Sequence, residues 1–279
     1  MGQGGRFIVL PSTESARLHA SVRPRYDSTV EIFGIDIGGS GIKGAPVDVR
    51  TGRLAAERLR IPTPEGASPK KVAAAVVSIL DHFDWKGPVG CGIPARVKQG
   101  VAHTAANISD SWIGTNAARL FSKASGRPFV ILNDADAAAL AEMHFGAGRD
   151  LKGVVLTLTI GTGIGSALFV DNTLIPNTEF GHFWLRGQVA EHYASDRVRK
   201  EENLDWETWA ARMQEYLSHL ERLLDIDAII LGGGVSKPSR SEKFLHLLDT
   251  KADLLTAELR NEAGIVGAAW TAHRLIANA

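Results

Sequence analysis

A single cysteine, Cys91, stands in the chain of 279 residues. One thiol excludes an internal disulfide and any zinc site built on several cysteines. Between Gly90 and Gly92 in an apolar run, it reads as a buried structural thiol rather than a nucleophile. No run of 18 apolar residues occurs, so no transmembrane helix is expected. The stretch from Phe7 to Leu10 is too short for the apolar core of a signal peptide. The formal charges cancel, with 31 Lys and Arg against 31 Asp and Glu. No global field therefore gathers nucleic acid or an anionic membrane, and a polyanion would have to find a local basic patch. There is no Gly-x-x-x-x-Gly-Lys-Ser/Thr element, which excludes a P-loop NTPase. No Gly-x-Gly-x-x-Gly stands at a strand-to-helix junction, which leaves a Rossmann dinucleotide site unsupported. What remains is a cytoplasmic protein whose apolar fraction of 44% can build the core of two ordinary domains.

The chain is organised around the stretch from Phe129 to Glu142. Phe129-Val-Ile-Leu132 reads as a short buried strand. The Ala-rich run after it reads as a helix stopped at Gly146. Between them lie Asn133, Asp134 and Asp136, at the carboxyl end of a strand, where open α/β sheets bind ligands. Asp136 is the better candidate for the helix cap. On this stretch alone Asp134 too reads as a cap, and it is the rest of the chain that moves it to the functional side.

Residues 1–28 mix Gly, Ser, Pro and Arg around one short apolar run and read as a loosely ordered extension. A strand from Val30 to Asp36 follows. The tight turn Ile37-Gly-Gly-Ser-Gly41 is expected to need positive φ at some positions, and Ile42 to Asp48 is the returning strand. Leu54 to Ile61 reads as a third strand, Lys70 to Phe83 as a helix, Val89 to Ile93 as a strand, and Thr115 to Ser125 as a helix. After the central stretch the pattern restarts. Gly153 to Thr159 is a strand, Ile160 to Gly165 a turn, and Ser166 to Val170 the return. Gly39-Ser-Gly-Ile42 and Gly161-Thr-Gly-Ile164 match as Gly, small hydroxyl, Gly, Ile, which points to a duplicated domain. Residues 177–199 read as irregular, Trp206 to Leu223 as a helix, and Ala228 to Ser236 as a strand running into glycines. Glu242 to Leu259 reads as helical, and Gly264 to Ile276 as a buried terminal helix.

Three glycine turns thus follow apolar strands: Gly38-Gly39, Gly161 to Gly165, and Gly232 to Gly234. Successive backbone N–H groups in such turns form nests for phosphate oxygens, and Ser40 and Thr162 add hydroxyls. Asp36, one residue before the first turn, reads either as a turn cap or as a carboxylate that meets Mg²⁺ through water. Lys43 is either a phosphate contact or a solvated strand-face lysine.

Asp36-Ile-Gly-Gly-Ser-Gly-Ile-Lys43, Asn133-Asp134, Gly161-Thr-Gly-Ile-Gly165, Glu179-Phe-Gly-His182 and Leu231-Gly-Gly-Gly234 occur in the order seen in ROK-family sugar kinases. From about residue 30 onward the chain resembles that family. The resemblance implies the α/β fold of actin, hexokinase and Hsp70: two duplicated lobes with a ligand cleft between them. The lobes would span residues 29–134, completed by the helix at 264–276, and residues 135–263. In place of the cysteine cluster that typically follows the Glu-x-Gly-His element, this chain has Leu185-Arg-Gly and Ala190-Glu-His192. His182 and His192 cannot complete a tetrahedral zinc site, so no zinc is expected. The cysteine-free version resembles the polyphosphate glucokinase branch.

That branch implies phosphoryl transfer from inorganic polyphosphate, ATP or both to the 6-hydroxyl of glucose, with mannose as a second acceptor and Mg²⁺ as cofactor. By the same resemblance Asp134 is the general base. Asn107, Asn133, Glu179, His182 and Glu191 contact the sugar. Gly38, Gly39, Ser40, Lys43, Gly161, Thr162 and Gly163 hold donor phosphates, and Gly232, Gly233 and Gly234 face an adenosine when ATP binds. A polyphosphate path would use basic residues among Arg96, Lys98, Arg149, Lys152, Arg197, Arg199 and Lys200. The alternatives are an ATP-only glucokinase, a sugar-sensing regulator, for which about 28 leading residues are too few to carry a DNA-binding domain, and an actin-like filament module, which has no use for Glu179-Phe-Gly-His182. Relatives occur as monomers and homodimers.

Overall fold

The computed structural model describes residues 31–277, so the extension expected over residues 1–28 lies outside the described residues. The first half contains β1 (Glu31–Ile37), β2 (Ile42–Asp48), β3 (Arg53–Leu54), β4 (Leu59–Ile61), α1 (Pro69–His82), β5 (Val89–Ile93), β6 (Val97–Lys98), β7 (Val101–Ala102), α2 (Ala117–Ser125), β8 (Phe129–Asn133) and α3 (Asp134–Phe145). The second contains β9 (Val154–Ile160), β10 (Ile164–Val170), β11 (Thr173–Ile175), β12 (Trp184–Leu185), β13 (Gln188–Val189), α4 (Glu191–Ala194), α5 (Asp196–Glu201), α6 (Trp206–Leu223), β14 (Ala228–Gly233), α7 (Pro238–Ser241), β15 (Asp253–Thr256) and α8 (Ala263–Ala277).

The duplication legible in two short motifs extends to the topology. One sheet runs β3-β2-β1-β5-β8 and the other β11-β10-β9-β14-β15. In each, an antiparallel hairpin is followed by two parallel strands. Ile42 and Ile164 open the returning strands at equivalent positions, opposite Ile37 and Ile160.

Helix α8 belongs to the first sheet although it ends the described chain. Its backbone lies against Gly34 and Gly90, which pair across β1 and β5. A Cβ on either would strike the carbonyl of Ile265 or Ala268. On its other side Gly267 faces the backbone of α3 at Ala137. The alanines of α3 are therefore a packing requirement as well as good helix formers: Ala141 packs in the core that α8 shares with β1 and β2, and Ala139, Leu140 and Met143 pack on the second sheet. The helix that begins at Asp134 thus touches both halves.

Several expectations are corrected. Leu54 to Ile61 is two strands, and the break falls where Pro46 of β2 has no N–H to donate. Val47 pairs with Leu54 and Gly44 with Leu59, either side of that gap. Glu242 to Leu259 is not one helix, because Asp253–Thr256 pairs in parallel with β14 as an edge strand. A short apolar run fits either state by periodicity alone, and the free edge of β14 decides it. Residues 177–199 carry a two-residue hairpin and two short helices, all shorter than a sequence pattern can register. The first glycine turn contains no residue with positive φ. Its glycines serve close approach instead: a Cβ on Gly39 would sit 2.9 Å from Cβ of Asn107, and one on Gly41 2.6 Å from the Arg60 guanidinium.

Candidate active site

Strand β8 delivers the chain to Asn133, which is extended at φ −64° and ψ 146° and so takes the cap position of α3. Its Oδ1 accepts from the N–H of Ala135 at 2.8 Å and of Asp136 at 3.0 Å, and its Nδ2 donates to the Ala95 carbonyl at 3.1 Å. Asn133, not Asp136, is the cap. Asp136 is buried, and its Oδ2 accepts from the Asn177 N–H at 2.9 Å while its Oδ1 has no partner among the described residues. Burial, then the charge of Glu179, pushes the Asp136 carboxyl up to about 7.

Asp134, the first residue of α3, lines a cleft of about 780 Å³ between the two sheets. Burial, and next the nearby charge of Asp36, raises its carboxyl to about 7, against the Ala135 N–H, which donates to Oδ1 at 2.9 Å. The expected sugar contacts meet in the same cleft: Asn107, Asn133, Glu179, His182 and Glu191 all line it. His182 stands between the two glutamates, with Nδ1 3.1 Å from Glu179 Oε2 and Nε2 3.7 Å from Glu191 Oε1. Burial raises the Glu179 carboxyl and Glu191 adds to that, while His182 and Arg96 oppose it.

This group is held from behind. Glu191 Oε2 accepts from the Ile164 N–H at 3.0 Å, just past the second glycine turn, and a side chain at Gly163 would run into the same carboxylate. The Phe180 N–H donates to Ser166 Oγ at 2.9 Å, and Tyr216 of α6 donates to the Phe180 carbonyl at 3.1 Å. Asn177, at φ +60°, ties the loop before Glu179 to the first half. Its Oδ1 accepts from the Val97 N–H at 2.7 Å and its Nδ2 donates to the Val97 carbonyl at 3.0 Å.

Gly38, Gly39, Gly161, Thr162, Gly163 and Gly233 line the cleft, and Asp36, Ser40, Lys43, Gly232 and Gly234 do not. Lys43 is partly exposed and is held by an ion pair. It faces Asp36 across the β1–β2 ladder and donates to Asp36 Oδ2 at 2.9 Å. The first turn is pinned by Thr63 Oγ1 on the Gly38 carbonyl at 2.6 Å and Arg60 Nη2 on the Ser40 carbonyl at 2.8 Å, two anchors that no motif marked. Of the basic candidates, Arg96 and Arg197 reach the cleft. Arg149 and Lys152 stand before β9, at the end of the strand away from Gly161, roughly 20 Å from it at 3.3 Å per residue, and are removed from the path. Sequence reasoning also missed Thr104 and Thr178, which line the cleft. Single threonines on loops carry no signal.

A second hollow of about 440 Å³ lies between the β12–β13 hairpin and α6; of the motif residues only Leu185 and Arg186 reach it. Among the described residues no group of three or more His, Cys, Asp or Glu is placed to hold a metal ion, and no helix is long and apolar enough to cross a membrane.

A family model described as the ROK family matches residues 32–192. A polyphosphate glucokinase of Mycobacterium tuberculosis (strain CDC 1551 / Oshkosh) is 45% identical over 238 residues, covering 85% of this chain and 89% of the relative. The crystal structure of the inorganic polyphosphate/ATP-glucomannokinase from Arthrobacter sp. strain KM superposes with a TM-score of 0.84 at 43% identity, covering 88% of this chain and 99% of that one. A ROK family glucokinase from Streptomyces griseus, solved with glucose and AMPPNP, gives a TM-score of 0.70 at 27% identity over 88% of this chain and 100% of the other.

Proposed function

Since the chain belongs to the ROK family and carries the duplicated lobes of the actin, hexokinase and Hsp70 fold, we propose that it is a hexose kinase transferring a phosphoryl group from inorganic polyphosphate or ATP to the 6-hydroxyl of glucose, with mannose as a second acceptor. One observation carries this reading. A carboxyl raised to about 7, Asp134, shares one cleft with two glycine turns and the Glu179–His182–Glu191 group, which leans on the second of those turns through Glu191.

Each part has a role. Glu179, His182 and Glu191 offer paired acceptors and donors to adjacent ring hydroxyls. Asn107 adds a contact from the loop that packs on Gly39. Asn133 has two hydrogen bonds committed to the helix start and one to Ala95, so it fixes Asp134 first and meets the sugar with what remains of its amide. The hydroxyl oxygen attacks phosphorus, the bond from phosphorus to the donor's bridging oxygen breaks, and the proton passes to the Asp134 carboxylate. Such a transfer depends on positioning and charge neutralisation. A base whose pKa lies near the working pH suits it.

The residues fit a hydrated divalent cation at Asp36. Only Oδ2 of its carboxylate is bonded to Lys43, and Asp36 lies near enough for its charge to act on Asp134, so a cation would reach it through water. When bound, Mg²⁺ would neutralise donor phosphates, held by Asp36 through water. The test is glucose 6-phosphate formation with Mg²⁺, run in parallel with nucleotide-free polyphosphate and with ATP. Product from polyphosphate supports the full reading, product from ATP alone makes the protein an ATP-only glucokinase, and product from neither refutes the kinase assignment for glucose.

A further inference from the structure

Beside the cleft, next to Arg197 of its lining, lies an unusual charge arrangement. Asp196, the first residue of α5, is 2% exposed, yet three cations converge on it: Arg199 Nε at 2.9 Å, Lys200 Nζ at 2.6 Å and Arg240 Nη1 at 3.5 Å. Burial alone would favour the neutral acid. The hydrogen bonds from Lys200 and Arg199 outweigh it and hold the carboxyl below the ordinary range. Arg199 is spent on structure, its guanidinium 4.0 Å over the Trp206 ring. Lys200 and Arg240 keep side-chain exposures of 55% and 34%. Three cations on one carboxylate leave a net positive charge, and two of them present it to solvent. The neighbouring Glu202 does not cancel it, because Arg212 holds it at 2.6 Å.

The cluster is tied to both glycine turns of the second lobe. The Arg197 N–H donates to the Gly161 carbonyl at 3.0 Å, and its side chain lines the cleft. Arg240 Nη1 donates to the Gly234 carbonyl at 3.1 Å, and a Cβ on Gly234 would lie 3.3 Å from that nitrogen. Arg197 and Lys200, three residues apart, share a face of α5. A row of charged donors therefore leads from the cleft across Lys200 to Arg240.

We propose that Asp196, by holding Lys200 and Arg240 next to Arg197, completes an anion subsite that holds the phosphates of a linear polyphosphate beyond the one being transferred. The proposal rests on the kinase reading above. Guanidinium and ammonium groups with solvent-facing N–H donors suit successive phosphate oxygens. A nucleoside would need an aromatic or apolar lining, and these residues give it none. Asp196 is a positioning residue, because its carboxylate is buried and spent on the cations. The subsite adds affinity only for donors long enough to reach it.

The test compares tripolyphosphate with long-chain polyphosphate as donors, at saturating glucose and Mg²⁺. In the wild-type protein KM per chain is lower for the long donor. Lys200→Gln raises the long-chain KM about tenfold, the usual effect of losing one charged contact, so the ratio of short-chain to long-chain KM collapses. Lys200→Arg restores it. Asp196→Asn lowers the same ratio. Lys200 is a surface side chain, so its variant also serves if Asp196→Asn folds poorly. A ratio unchanged from wild type in Lys200→Gln overturns the subsite while leaving the kinase reading intact. No product from either polyphosphate in the wild-type protein overturns the polyphosphate donor and the subsite together.

Discussion

At Asp134 the same physics serves activity and costs stability. Its carboxyl is pushed up to about 7 by burial first and by Asp36 second. As a base it must be ionised, so kcat/KM should fall as pH drops through about 7 and level off above it; a profile flat from about pH 6 to 8 would remove Asp134 from that role. Asp134→Asn should lower turnover on the order of 10²–10⁴-fold, and near-wild-type turnover would defeat the assignment. Stability runs the other way. A carboxyl whose folded pKa is raised contributes stability in full below the ordinary carboxylate range and loses it as pH rises through about 7. In the absence of substrate and Mg²⁺, Asp134→Asn should therefore melt above wild type near pH 8, and the two should converge near pH 4. Thermal melts across that range check the sign. Asp134 was legible as a candidate from Asn133-Asp134 between a strand and a helix together with the other motifs of the chain. Its perturbation was not, because Asp36 and Glu179 approach it only in three dimensions.

Among the elements, α8 and the loop at Asn177 decide how well the site is held. The backbone of α8 rests on Gly34 and Gly90 and that of α3 on Gly267. Gly34→Ala would force a Cβ into the Ile265 carbonyl, and overpacking of this kind costs about 1–3 kcal/mol or more. A change in unfolding free energy below about 0.5 kcal/mol, read from denaturant titrations, would show that α8 can move aside. Asn177 joins β6, α3 and the Glu179 loop through its amide and backbone. Asn177→Gly keeps the left-handed backbone and removes the amide. It should raise the glucose KM about tenfold, as loss of a positioning hydrogen-bond pair does, with a smaller effect on the KM of the phosphoryl donor. Equal effects on both would make Asn177 a stability residue only. The long elements were legible from periodicity: Trp206–Leu223 matches the pattern end to end, and α1, α2 and α3 match within two residues. The α4–α5 segment and β15 were not, since their short runs are settled by partners elsewhere in the fold.

For the whole molecule, the balance of charge conceals a polarised site. The carboxylates of Asp134, Glu179 and Glu191 and the cations of Arg96 and Arg197 line one cleft, with Asp36, Lys200 and Arg240 outside its lining. Added salt should therefore raise the KM for polyphosphate while leaving that for glucose nearly constant, because only the charged donor is screened. Parallel titrations with KCl check this, and identical salt slopes would count against a charged donor path. Glucose, bound between the lobes, should stabilise the folded chain by about 2.7 kcal/mol at a hundredfold excess over Kd. A thermal shift without donor measures it, and no shift would mean that the sugar group does not bind on its own.

The sequence by itself pointed to the two lobes, the glycine turns, the candidate carboxylate Asp134 and the glutamate–histidine group. These are local signals, each written within a few residues, or repeats of one pattern. Tertiary structure decided which residues do each job. Asn133 takes the cap because β8 ends there, Asp136 turns to Asn177, Lys43 is consumed by Asp36, and Arg149 and Lys152 fall at the wrong end of β9. Those assignments depend on contacts between residues far apart in the chain, such as the pairing of Asp136 with Asn177 or of Asp196 with Arg240. No local pattern encodes a distance across folded space.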